Sequence, residues 1–124
     1  MNIKRPLKLI PRVQHYAWGK KASDSLVAKA IGEELSDKPY AELWIGAHSK
    51  APANVVVDDK EIPLDQLIKE YPEEILGREV YQKFGAQLPF LFKLLSIAKP
   101  LSIQAHPDKE LAKILHQKDP EHYP

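Results

Sequence analysis

The 124 residues contain no cysteine. Disulfides and thiolate metal sites are therefore excluded, and a reducing compartment is comfortable. Glycine is scarce, with five in all, and no Gly-rich phosphate loop can be assembled from them. Neither sign of charge dominates: 18 basic against 17 acidic side chains leave a formal charge of +1. That balance gives no reason to expect nucleic acid or an anionic membrane as a partner. No apolar stretch is long enough to cross a bilayer. The start, Met1-Asn2-Ile3-Lys4-Arg5-Pro6, is charged but lacks the long apolar region of a signal peptide. Internal repeats and low-complexity segments are also missing. These absences lead to the expectation of a cytoplasmic, soluble protein whose length fits one domain or a piece of one.

Proline is abundant. Eleven of them divide the chain into short elements. Leu7 to Ile10, stopped by Pro11, reads as a short edge strand, and a loop carrying Tyr16-Ala17-Trp18-Gly19 follows. Ser23-Asp24-Ser25 can cap a helix with Leu26, Val27, Ala30 and Ile31 on one face, and Gly32 suits its end. Tyr40 to His48 alternates as a strand does. Val55-Val56-Val57, Asp58-Asp59-Lys60 and Glu61-Ile62 read as a hairpin or a tight turn. Pro63 then opens a helix with an apolar stripe of Leu64, Leu67, Ile68 and Tyr71. Phe90 to Ile97 is strongly apolar, and Pro100 separates it from the next run, so the two are candidates for paired strands. Asp108 can cap a last helix with Leu111, Ile114 and Leu115 inward. The ending, Asp119-Pro120-Glu121-His122-Tyr123-Pro124, has no helix stop and reads as cut off in mid-loop.

The densest chemistry lies in Leu101-Ser102-Ile103-Gln104-Ala105-His106-Pro107-Asp108-Lys109. Ser102, Gln104 and His106 recur at a spacing of two, so an extended strand would carry them on one face with Leu101, Ile103 and Ala105 on the other. Gln104, through its carbonyl oxygen, and His106, through a ring nitrogen, can then address one metal ion; a polar row of this kind is also often a solvated strand face. Zinc usually takes four ligands, or three plus water or substrate, so this is half a metal centre.

Three further residues carry two readings each. Lys93, within Phe90-Leu91-Phe92-Lys93-Leu94-Leu95, is either buried, and then paired or with a lowered pKa, or snorkels from an edge strand. Glu42 shares a strand face with Trp44, Gly46 and His48; it can move a proton or hold sugar hydroxyls, or be an exposed strand carboxylate. Trp18 is a sugar platform or a packing residue. His15, His116 and His122 have no spacing that recommends them.

Together these segments closely resemble type I phosphomannose isomerase, a zinc-dependent family of the cupin superfamily. The resemblance rests on Tyr16-Ala17-Trp18-Gly19, Pro39 through His48, Leu88 through Ile97, and Leu101 through Lys109. These occur in the family's order and span nearly the whole chain, and the Gln-Ala-His-Pro-Asp-Lys run is the most specific of them. The resemblance implies that Gln104 and His106 are two of four ligands to Zn2+, with a Glu and a second His expected beyond Pro124. It implies that Trp18, Glu42, Lys93 and Ser102 line the substrate pocket; Lys109 falls within the signature and is grouped with the substrate-binding residues.

The implied fold is a mainly β, cupin-type jelly roll with helical additions. Residues 1–124 would be the N-terminal part of its catalytic domain, without a closed barrel. The implied reaction interconverts mannose 6-phosphate and fructose 6-phosphate, moving a proton between C2 and C1 of the open-chain sugar through an enediol. Glu42 and Lys93 are the candidates for the proton carrier within the chain, and a residue beyond Pro124 is an equal one. On this reading the 124 residues alone do not turn over substrate. The alternatives are a non-catalytic cupin module that binds sugar or metal, and an inert N-terminal fragment. Nothing in the sequence specifies an oligomeric state.

Overall fold

Pro11 marks the first change of sheet. The structure is a computed structural model describing residues 1–124. Before Pro11, β1 (Lys8–Ile10) pairs with β6 (Asn54–Val57); after it, β2 (Arg12–Gln14) pairs with β5 (Glu42–Ile45). A proline between them can donate to neither ladder, which frees the chain to cross. The first sheet is completed by β7 (Lys60–Pro63) in the order β1-β6-β7, the second by β8 (Phe92–Leu95) in the order β2-β5-β8. A third, two-stranded sheet joins β3 (Lys20–Lys21) to β4 (Pro39–Tyr40). Every pairing is antiparallel and no sheet closes on itself. The expected β-sheet architecture with helical additions is thus present, including its open edges.

The expected hairpin is β6-β7. Its two turn residues, Asp58 and Asp59, have φ of 48° and 60°, the positive values that a two-residue hairpin turn needs and that Asp tolerates better than most residues. The stripe after Pro63 is α2 (Leu64–Glu70), with Leu64, Leu67 and Ile68 buried. Leu67 packs with Ile3, Val55 and Val57, and Tyr71 and Ile75 close the edge of this cluster. Two further short helices follow, α3 (Pro72–Leu76) and α4 (Arg78–Phe84), neither with a buried residue.

A second cluster lies under α1 (Leu26–Ile31), where Val27 and Ala28 meet Ala22, Tyr40 and Leu43. The cap is Ser25: its buried hydroxyl accepts from the N–H of Val27 (3.1 Å) and of Ala28 (3.4 Å) and donates to the Tyr40 carbonyl at 2.8 Å. Because the hydroxyl is tied to β4 as well as to the helix, it sets the helix rotation. Val27, Ala28 and Ile31 therefore turn toward the sheet, while Leu26 and Ala30, expected on the buried face, are exposed. Gly32 ends the helix at φ 73°, as an αL cap does.

Three other expectations are corrected. The single strand from Tyr40 to His48 is two, β4 and β5, divided at Ala41. Residues 101–106 belong to no strand, and Phe92–Leu95 pairs with β5 instead of with them. A strand exists through its neighbour's backbone groups, and none of residues 1–124 supplies a neighbour to this run. Finally α5 (Lys109–Lys118) is capped by Asp108, which accepts from Leu111 N–H at 2.8 Å. Its Leu111 and Ile114 are nevertheless exposed, because no layer covers that face.

Candidate functional site

The alternation of the second sheet gives it two unlike faces. Val13, Leu43, Ile45 and Leu94 point to the cluster under α1. The opposite face carries Arg12, Gln14, Glu42, Trp44 and Lys93, as the register of Arg12 and Lys93 against Trp44 and of Gln14 against Glu42 requires. Glu42 is 8% exposed, so the reading of an exposed strand carboxylate is set aside by the structure. Both its contacts fall on Oε2: Trp44 Nε1 donates to it at 2.5 Å, and Lys93 Nζ lies 3.5 Å away. The Lys93 side chain is 37% exposed and sits on the edge strand, so it is both the snorkelling and the paired lysine. Its ammonium is also 4.9 Å from the centre of the Trp44 ring, within cation–π range.

Trp18 reaches the site on a loop that needs its glycine. A Cβ on Gly19 would sit 2.6 Å from the Ala41 Cα, so only glycine lets the loop lie directly on the backbone beside Glu42. The loop is tied to the end of β8 as well: Ala98 N–H donates to the Trp18 carbonyl at 2.9 Å, and Lys20 N–H to the Ser96 carbonyl at 3.1 Å. These bonds bring Trp18 over the segment that follows β8. There it lines a cavity of about 360 Å3 with Pro100, Leu101, Ser102 and Gln104.

Gln104 and His106 line a second cavity, of about 500 Å3, with Leu115 and His122. Gln104 therefore faces both spaces, joining Trp18 and Ser102 on one side to His106 on the other. Its Nε2 donates to Ser102 Oγ at 3.2 Å, which leaves the amide oxygen free. The His106 ring makes no hydrogen bond, so its nitrogens are free too. A hard oxygen and an imidazole nitrogen suit zinc, and these two residues fit as part of a donor set. They do not complete one: no cluster of three or more His, Cys, Asp or Glu is arranged to hold a metal. His122 lines the same cavity, but its Nδ1 is engaged 2.8 Å from Asp119 Oδ2.

Lys109 is the first residue of α5, exposed, and lines neither cavity. Of the sequence candidates, then, Trp18, Ser102, Gln104 and His106 come together along one segment, Glu42 and Lys93 form a separate pair on the sheet, and Lys109 joins neither. Two residues were not singled out by the sequence. Trp44 was placed on the Glu42 face, and its spacing of two could have identified it as the carboxylate's donor. Lys50, whose Nζ donates to the Tyr16 hydroxyl at 3.1 Å, follows the strand and gives no periodic signal.

Comparison with known proteins gives one consistent result. A family model of the phosphomannose isomerase type I catalytic domain matches residues 7–124. A mannose-6-phosphate isomerase of Ogataea parapolymorpha is 49% identical over 126 residues, covering 94% of this chain and 29% of that protein. Among solved structures, a zinc-bound mannose 6-phosphate isomerase superposes with a TM-score of 0.80 at 38% identity, over 94% of this chain and 29% of the other. The Salmonella typhimurium isomerase bound to substrate (f6p) and zinc superposes with a TM-score of 0.78, also at 38% identity, over the same shares of each chain. The chain thus spans about three-tenths of the length of these relatives. The open sheets are the corresponding part of that cupin-type fold. No helix is long and apolar enough to cross a membrane.

Proposed function

The chain belongs to the type I phosphomannose isomerase family, and from that premise we propose that it is the N-terminal part of a zinc-dependent catalytic domain interconverting mannose 6-phosphate and fructose 6-phosphate. The observation that carries the proposal is the position of Gln104, which lines one cavity with His106 and the adjoining one with Trp18 and Ser102. A residue so placed can hold a metal and face a sugar at once. The relatives' zinc-bound and f6p-bound structures support the same ligands here. A chain without cysteine suits a reducing compartment, and we assign the activity to the cytoplasm.

Gln104 and His106 would hold zinc together with two ligands from outside residues 1–124. The bound ion would supply Lewis acidity that lowers the cost of enediolate charge. Trp18 would offer an apolar ring face to the sugar, and the Ser102 hydroxyl a hydrogen bond. Lys93, oriented by the buried Glu42 carboxylate, would present its ammonium to developing negative charge. The Glu42 Oε2 is already engaged by Trp44 and Lys93, so within this chain Glu42 acts as the partner that positions Lys93 more readily than as a free base. Lys109 would act through charge alone, since it lines neither cavity. The 124 residues on their own would not turn over substrate.

Zinc titrated calorimetrically into the chain tests the metal half of the proposal. Complete four-ligand structural sites hold zinc with about 10–16 kcal/mol. Two ligands should keep on the order of half of that, a Kd between about 1 µM and a few hundred µM. His106→Ala should abolish the binding. A Kd untouched by that substitution would put the metal elsewhere and sink the reading.

A further inference from the structure

Lys50 connects the two parts of the site. Its Nζ donates to the Tyr16 hydroxyl at 3.1 Å, and lies 5.4 Å from the centre of the Tyr16 ring and 5.8 Å from that of Trp44. Its own N–H donates to His48 Nδ1 at 3.1 Å, and the His48 ring meets Trp44 edge-on at 5.2 Å. The lysine is thus anchored to the sheet face that carries Glu42, Trp44 and Lys93. Tyr16, in turn, stacks on Trp18 with ring centres 5.7 Å apart and planes inclined by 30°.

Two facts separate this lysine from an ordinary surface charge. It is the only lysine whose ammonium donates a hydrogen bond, and the only one set against two aromatic rings. The charge of Lys50 is directed only at aromatic groups and a phenol. Trp18, for its part, makes no side-chain hydrogen bond, so its ring is oriented by the backbone of its loop and by the Tyr16 stack. Whatever fixes Tyr16 fixes the wall that Trp18 gives to the cavity beside Ser102 and Gln104.

We propose that Lys50 is a positioning residue: it holds Tyr16, and through Tyr16 it holds Trp18 as the wall of that cavity. What the cavity receives, a sugar phosphate, rests on the function proposed above; the positioning itself does not. The bond from Nζ to the phenol has direction, and the cation–π contacts to Tyr16 and Trp44 bridge the loop to the sheet. Arginine can make both kinds of contact, while methionine keeps most of the stem and loses the charge and the donor.

The protein has two tryptophans, so the chain labelled with 5-fluorotryptophan should show two 19F resonances, which Trp18→Phe assigns. In Lys50→Met the Trp18 line should shift and its width should at least about double, as the ring begins to sample more than one orientation. Lys50→Arg should restore it, and Lys38→Met, an exposed lysine elsewhere, should leave both lines alone. Tyr16→Phe removes the phenol without touching the charge and should also move the Trp18 line, which covers the case of a Lys50→Met chain that does not fold. A Trp18 line unchanged in Lys50→Met, or unrestored by arginine, would overturn the proposal. Fructose 6-phosphate is then added to the wild-type chain. If it moves neither line, the sugar-phosphate reading of the cavity fails, while the role of Lys50 is still decided by the ligand-free spectra.

Discussion

From Ile3 to Ile68 the chain holds every buried residue of the protein except Ser96, whereas from Ile97 to Pro124 not one is buried. Apart from Lys93, which lies between them in β8, the two stretches divide the candidate site between them. Glu42 and Trp44 stand on a strand paired on both sides, with an apolar layer behind it. Gln104 and His106 stand on a segment with no ladder and no layer, beside the fully exposed Ile103 and the exposed Leu111 and Ile114. The sheet side of the site is therefore rigid within residues 1–124. The candidate metal donors, Gln104 and His106, have little to hold them, and a binding site gains affinity from holding its groups in place beforehand.

The sharpest way to break this comparison is to cut equal side chains in the two stretches. Leu67→Ala should destabilise the chain by about 2–5 kcal/mol, since it empties space among Ile3, Val55 and Val57. Ile103→Ala should change stability by no more than about 0.5 kcal/mol. Urea unfolding of both variants reads the difference directly, and equal losses would mean that the second stretch is packed after all. A smaller effect is expected where the stretches meet. Gly19→Ala drives a methyl group into the Ala41 backbone and should cost about 1–3 kcal/mol in the same assay; its fluorescence should also change, because Trp18 must move with the loop. Smallest is Glu42→Gln, which leaves Trp44 an acceptor but removes the charge facing Lys93. Because Lys93 is more than a third exposed, water screens much of the lost attraction, and about 1 kcal/mol is expected. A loss of several kcal/mol would show the pair to be shut away from solvent.

Much of the packed stretch was legible in the order of residues. The Asp58-Asp59 turn, the stripe of Leu64, Leu67 and Ile68, and the caps at Ser25 and Asp108 each depend on neighbours within a few positions, and local pattern reaches that far. The face of α1 was misread because the Ser25 hydroxyl bonds to Tyr40, fifteen residues away, and that bond turns the helix. The state of Lys93 stayed open between two readings because both its partners, Glu42 and Trp44, come from another strand. Lys50 gave no signal, since its partner Tyr16 lies thirty-four residues earlier.

Residue identity and spacing were enough to mark Gln104 and His106 as candidate metal donors, and to place the chain in its family through the run that contains them, because ligand chemistry resides in side chains and a spacing of two needs no fold to be read. Folding was needed to bury Glu42 against Trp44 and Lys93, to bring Trp18 over Ser102 and Gln104, and to leave residues 101–106 without a strand partner. Each of those outcomes depends on which distant backbone lies alongside, and a linear pattern does not carry that information.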